Sequence, residues 1–231
     1  MRRIQYVEAI NEALSEELRR DERVFLMGED VTCLGSPFQT CAGLYKEFGT
    51  ERIRNTPISE IAIVGAGLGA AVTGMRPIVE IMFSDFFGCA MDQITNQVAK
   101  MRYMFGGQAT VPMVIKSQQG GYFRNAAQHS ASVEAWFVHT PGLKVVMPSC
   151  AADAKGLMKT AVRDDDPVIF LDHKGLFNLK GEVPDGEYTI PFGKADIKKE
   201  GSDVTVIATS LMVVKALSAA KDLDKLGISV E

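Results

Sequence analysis

"SEIAIVGAGLGAAVTG" (59–74) sets Gly65, Gly67 and Ala70 at the G-x-G-x-x-[GA] spacing directly after the apolar run 61–64. Two local folds compete for it. As a dinucleotide fingerprint, 61–64 would be a strand, the glycines a turn beneath a pyrophosphate, and an acid about 20 positions on would hold the ribose. Gly74, Met75, Arg76 and Pro77 stop any helix early, leaving 67–73 as the crossover. That is short of the ~10 to 12 residues a βαβ connection takes, and the first carboxylate afterwards, Glu80, comes too soon. The second fold is one helix over 59–73. Ser59 is its N-cap after Thr56-Pro57-Ile58, Glu60 meets the positive end of the dipole, Gly74 sits at C′ and Pro77 lies just beyond. Its glycines and alanines then allow close packing against another backbone, and 77–82 (PIVEIM) is the strand that follows.

Working outward, 4–20 carries Val7, Ile10, Leu14 and Leu18 at helical spacing and precedes a strand at 24–27. Residues 31–57 hold Gly35, Pro37, Gly43, Gly49 and Pro57 and read as loop around a helical piece at 42–48. Helix 89–104, strand 111–116, a Gly-rich loop from Gly120, helix 130–139, strand 144–147, helix 153–163 and strand 167–171 then alternate. This predicts an α/β fold, a doubly wound, mostly parallel sheet over 1–190. Residues 173–202, rich in Gly, Pro and charge, read as an interdomain connection. A strand at 204–209, a helix at 212–226 and 228–231 then open a second α/β domain, assigned to 191–231. Glu231 falls in mid-strand, so most of that second domain is expected to be truncated.

The 231 residues are 46% hydrophobic and 23% charged with a net charge of −4, an ordinary globular composition without the basic footprint of a nucleic-acid binder. The N-terminus lacks a signal-peptide core and no apolar run reaches the ~18 residues of a membrane span. The expectation is a cytoplasmic protein with no nucleic-acid or membrane partner. Cys33, Cys41, Cys89 and Cys150 lie far apart and His129, His139 and His173 show no ligand spacing, which suggests reduced thiols and neither a zinc site nor a disulfide framework.

Glu60, beside Ile58, Ile61 and Ile63, has an apolar setting that would raise its pKa and let it donate a proton; the alternative is a solvated acid that complements the helix dipole. His129 follows Gly120-Gly121-Tyr122 and precedes a candidate N-cap, Ser130, at the functional edge of a parallel sheet; it could equally satisfy its own loop. His139 and His173 read as structural. The cluster 82–87 could stack on a flat heterocycle or belong to the core, and Asp164-Asp165-Asp166 reads as a solvated turn. The phosphate loop, nucleophile elbow and H-E-x-x-H signatures are absent.

Taken together, "MGEDV" (27–31), "TPISE" (56–60), "GAAVTGMRPIVEIMFSDF" (69–86), "DQITNQVAKMRYMFGG" (92–107), "AAQHS" (126–130), "PGLKVVMPS" (141–149) and "DAKGLMKTAVRDDDPVIFL" (153–171) resemble the β subunit of the thiamine-diphosphate-dependent E1 component of 2-oxo acid and acetoin dehydrogenase complexes. The resemblance covers almost the whole chain, and 173–197 is most similar to acetoin or pyruvate members. It implies that Glu60 hydrogen-bonds N1′ of the thiamine diphosphate aminopyrimidine, activating thiazolium C2. It also implies that Met82 and Phe86 flank that ring, that His129 reaches over the reacting carbon, and that Glu29 joins an acidic path between paired sites. By the same resemblance, the backbone carbonyls of Met113, Ala161, Asp164 and Asp166 hold a structural K⁺, which would account for the three adjacent acids. The chain has no G-D-G motif for the Mg²⁺ that holds the diphosphate. The resemblance therefore implies half a site, completed by an α subunit in an α₂β₂ assembly that self-associates through β and serves a lipoyl-bearing E2 acyltransferase. Alone the chain is expected to be inactive. The loop "GGYFRNAAQHS" (120–130) departs from relatives in Tyr122, Phe123, Arg124 and Asn125, where small residues are usual. A dinucleotide-dependent oxidoreductase and a noncatalytic scaffold subunit are the competing readings.

Overall fold

Apolar runs bounded by glycine, proline or acids become the strands. The computed structural model describes Met1–Glu231. At its start β1 (Arg2–Gln5) pairs antiparallel with β8 (Lys180–Val183). The main sheet contains β2 (Val24–Gly28), β3 (Ile53–Asn55), β4 (Arg76–Ile81), β5 (Val114–Gln119), β6 (Lys144–Val146) and β7 (Val168–His173), all parallel, in the order β3-β2-β4-β5-β7-β6. Side-chain alternation divides the core. Ile78, Val114 and Phe170 face α1 (Tyr6–Arg20) and α7 (Ala151–Arg163), whereas Val79, Ile115 and Ile169 face α3 (Glu60–Val72). Parallel strands buried on both faces need no polar alternation, although β4 and β5 also bury Glu80, Lys116, Ser117, Gln118 and Gln119.

The helix reading of 59–73 holds: Gly65 and Gly67 lie in the middle of α3, Thr73 is its C-cap, and Gly74 follows with φ +101°. A dinucleotide turn is therefore absent at these glycines. Two details differ from expectation. The Ser59 side chain makes no capping bond, and the close approach that Gly67 permits is to side chains rather than backbone, since a Cβ there would lie 2.6 Å from both Met113 Cε and Val79 Cγ1.

Other boundaries moved for tertiary reasons. The expected helix 89–104 is divided into α4 (Phe87–Asp92), a π-helical turn (Gln93–Val98) and α5 (Met101–Met104), with the Ala99 amide reaching back to the Ile94 carbonyl. Helix 130–139 shrinks to α6 (Glu134–Val138), and the expected piece at 42–48 is α2 (Leu44–Phe48). The connection 173–202 is not free linker. It contains a 3₁₀ turn (Lys174–Leu176) and β8, and Ile190 donates to the Gly156 carbonyl on α7 at 3.3 Å. The expected strand 204–209 is one parallel bridge, Val204 with Val230, beside α8 (Leu211–Asp224).

Beneath residues 31–43 the core contains a charged network. Lys116 Nζ lies 3.1 Å from Glu80 and 3.3 Å from Asp172, Tyr6 donates its hydroxyl to Asp172 at 2.8 Å, and Gln118 donates to Glu80 at 3.0 Å. Burial pushes the Asp172 carboxyl from its ordinary 3.8 up to about 6, outweighing the pull of Lys116 and the Tyr6 hydroxyl. A carboxyl raised in the folded state contributes stability below its unfolded pKa and loses that contribution as pH rises through the folded one. Relative to Asp172→Asn, the wild-type chain should therefore lose about 3 kcal/mol between about pH 4 and 6. Urea unfolding across that window checks it, and parallel pH curves for the two proteins would contradict it.

Candidate active site

The strand order reverses at β2, since the chain runs outward from β2 to β3 and returns across it to β4. In open parallel sheets the crevice at such a switch, beyond the carboxyl ends of the strands, is where ligands sit. Glu29, Glu60, Met82, Phe86 and His129 all follow the carboxyl ends of strands on that side of the sheet.

At the end of β2, Gly28 lets the strands close up: a Cβ would stand 2.6 Å from the Glu80 carbonyl oxygen. Glu29 follows, buried, and Asp30 turns the chain at φ +52°. The Oε1 atom of Glu29 is fully enclosed with no hydrogen-bond partner. Burial raises the Glu29 pKa first, the charge of Glu60 second and that of Asp30 third. Glu29 and Glu60 thus form a neighbouring pair of acids.

Glu60 reaches this point from β3 through Thr56-Pro57-Ile58-Ser59, anchored where the Thr56 amide donates to the Gly28 carbonyl at 3.0 Å. It is the first residue of α3 and is buried. The apolar wall expected around it is not built from the predicted residues. Ile58 is 81% and Ile61 48% exposed, while Ile63 belongs to the core behind the helix. These exposed isoleucines border Glu60 in sequence and leave an apolar surface beside it.

The cluster after β4 divides by exposure. Phe83 and Phe87 are buried, whereas Met82 and Phe86 stay half-exposed at the edge, flanking and within a 3₁₀ turn (Ser84–Phe86). His129 ends another 3₁₀ turn (Ala127–His129) and sets its ring edge-on to Phe83 and Phe86, with centroids 4.5 and 5.4 Å apart. Phe86 and His129 are therefore brought together. Ser130 is not the N-cap it was read as: the Ala131 amide is taken by the Asp85 carboxylate at 3.2 Å and the Val133 amide by Gln119 Oε1 at 3.2 Å. Bonds to distant side chains replace the first helical turn.

One residue here, Lys174, escaped the sequence reading, and its neighbour His173 was read as structural. His173 closes β7 and fills the space above Gly120, where a Cβ would fall 2.2 Å from its Nε2, and its Nδ1 accepts the Gly175 amide at 3.0 Å. Burial, then the Lys174 charge, holds its pKa below the usual imidazole value. Lys174 is buried, donates to the His129 carbonyl, and lies 4.9 Å from the Phe83 ring centroid. The available signal was the polar run Asp172-His173-Lys174 at the carboxyl end of an apolar strand.

Of the four carbonyls expected to hold K⁺, three accept a hydrogen bond from the protein. The Met113 carbonyl accepts the Val168 amide at 3.0 Å, the Ala161 carbonyl accepts the Asp164 amide at 3.4 Å, and the Asp164 carbonyl accepts from Arg76 at 3.0 Å. The three acids are matched by protein cations instead: Asp164 and Asp166 by Lys144, Asp166 also by Arg102, and Asp165 by Arg76.

Two family models match the chain, the pyrimidine-binding domain of transketolase over residues 2–180 and the transketolase C-terminal domain over 193–231. The 2-oxoisovalerate dehydrogenase subunit beta of Bacillus subtilis is 52% identical over 225 residues, spanning 97% of this chain and 69% of the relative. The acetoin:2,6-dichlorophenolindophenol oxidoreductase subunit beta of Cupriavidus necator is 51% identical, spanning 96% and 69%. The pyruvate dehydrogenase E1 component subunit beta of Bacillus subtilis is 45% identical, spanning 100% and 71%. A solved structure described as a split-gene transketolase, inactive beta4 tetramer, superposes with a TM-score of 0.80 at 25% identity, covering 98% of this chain and 70% of that one.

Proposed function

This chain belongs to the transketolase-type pyrimidine-binding family, homologous to the β subunits of 2-oxo acid and acetoin dehydrogenases, and on that premise we propose that it supplies the aminopyrimidine half of a thiamine diphosphate site. The observation that carries this reading is the buried acid pair, Glu29 with an unpartnered oxygen beside Glu60, at the sheet edge where Met82, Phe86 and His129 gather. An enclosed acceptor with no protein donor fits a ligand that brings its own polar atom. A bound thiamine diphosphate supplies a thiazolium carbon acidic enough to become a nucleophile toward a 2-oxo acid or acetoin carbonyl.

Glu60 holds the proton shared with the pyrimidine nitrogen. Glu29, its pKa raised by burial and then by the charge of Glu60, is the second acid of the pair. Met82 and Phe86 offer apolar surface to the flat ring and keep water away. His129, on its loop above them, moves a proton at the substrate. This chain contributes no phosphate cradle, so the diphosphate and its Mg²⁺ fall to an α subunit, which the exposed apolar surface at Ile58 and Ile61 suits as a docking edge. The assembled α₂β₂ unit passes its acyl product to the lipoyl group of an E2 partner. Self-association through the β chain is supported by the exposed Tyr103, Met104 and Phe105.

With an α subunit, the chain is expected to bind thiamine diphosphate and reduce an artificial electron acceptor on one or more of pyruvate, 2-oxoisovalerate and acetoin; alone, it should do neither. Calorimetry and a dye-reduction assay across those substrates test this. Tight cofactor binding by the isolated chain, or no binding by any αβ assembly, would overturn it.

A further inference from the structure

We infer that Lys174 is the positioning residue for His129: its buried ammonium group takes the carbonyl at the end of the Ala127–His129 turn and so fixes the imidazole against Phe83 and Phe86. This deepens the reading above, because it concerns how the proton-moving residue of that site is held.

The loop needs such a restraint. Residues 121–128 are all exposed, so core packing does not fix them. Arg124 has φ +55°, and Ala126 has φ 59° with ψ −164°, a region populated almost only by glycine and maintained only where the surroundings enforce it. At its far end the loop is restrained by Phe123 stacked on Phe38, with centroids 5.8 Å apart and ring planes within 14°. At its near end, two opposite charges bracket residues 129–131. The Asp85 carboxylate accepts the Ala131 amide at 3.2 Å, Ser84 Oγ donates to the Ala131 carbonyl at 3.2 Å, and Lys174 donates to the His129 carbonyl.

A buried ammonium group ordinarily sits against a carboxylate. Lys174 instead spends its hydrogen bond on a backbone carbonyl and lies over the face of Phe83, the same ring that His129 meets edge-on at 4.5 Å. Lysine, ring and imidazole form one packed unit. Lys174 forms no ion pair, and burial lowers its pKa, partly countered by the charge of Asp85.

Lys174→Met keeps the length and apolar stem but removes donor and charge. Hydrogen–deuterium exchange on the isolated chain should show the hydrogen-bonded loop amides of Arg124 and Ala131 exchanging roughly tenfold faster or more, as loss of a bond to a charged donor implies, with β5 and β7 unchanged. The chain has three histidines, so their ring resonances are separable once His129→Gln identifies one. In Lys174→Met the His129 resonance should lose the ring-current displacement imposed by Phe83 and Phe86, while His139 stays in place. Wild-type exchange at Arg124 and Ala131, or an unmoved His129 signal, would overturn the inference. Should the variant not fold, the wild-type chain labelled with ¹⁵N-lysine supplies the test: a cross-relaxation contact between Lys174 ammonium protons and His129 or Ser130 upholds it, and its absence overturns it. Neither measurement uses cofactor or α subunit, so failure here is distinct from failure of the thiamine diphosphate reading.

Discussion

Lys116→Met is expected to destabilise the chain by about 3 to 5 kcal/mol at neutral pH, the cost of leaving buried charge uncompensated when one partner of an internal ion pair is removed. Lys116 is fully enclosed, and it is the cation shared by Glu80 and Asp172. Methionine fills the same space, so packing changes little and the loss is electrostatic. Tyr6 and Gln118 would still donate to the two carboxylates, but neutral donors do not cancel two buried charges. Protonation of Asp172, whose pKa already stands near 6, offers partial relief, so the deficit should shrink at pH 5 and grow at pH 8. The network also holds the loop that follows Glu29: Lys116 donates to Thr40 at 3.2 Å, and Cys41 lies 3.6 Å from Glu80. Urea unfolding at the three pH values reads the effect. A loss below about 1 kcal/mol at pH 7, the range of exposed ion pairs, would show that the triad contributes no more than a surface bridge.

How much could be read from the sequence depended on how local the signal was. The start and stop of α3 were legible because Thr56-Pro57, Glu60, Gly74 and Pro77 act through neighbouring backbone geometry. The parallel sheet was legible because its strands, buried on both faces, are largely apolar runs. Ser130 misled because the amides that an N-cap would serve are taken by Asp85 and Gln119, 46 and 14 residues from their partners. The partners of the triple Asp were not legible for the same reason: its cations, Arg76, Arg102 and Lys144, come from three other elements. For the site, Glu60, Glu29, Met82, Phe86 and His129 were named from motifs; each follows the carboxyl end of a strand, and Phe86 meets His129. The setting of Glu60 was misjudged, because adjacency in sequence to Ile58 and Ile61 does not decide which way those side chains face. Lys174 was missed because a buried lysine bonded to a distant carbonyl leaves no periodic trace.

Glu60→Gln, in the chain assembled with an α subunit, is expected to retain fold, assembly and cofactor binding while slowing turnover by roughly 10² to 10⁴, the usual size of general acid–base assistance. Glutamine matches glutamate in shape and still offers an amide to a ring nitrogen, but it has no proton to share. A capping or dipole role predicts a different pattern, at most about 1 kcal/mol of stability and nearly unchanged turnover. Turnover depends on substrate choice and on product transfer, so it reports on Glu60 only through later steps. The most direct test is hydrogen–deuterium exchange at C2 of thiamine diphosphate bound to the assembly, quenched and read by NMR, which needs no substrate. The account predicts that exchange in Glu60→Gln falls by about 10² or more below wild type with cofactor still bound. Wild-type exchange rates in that variant, at equal cofactor occupancy, would contradict it.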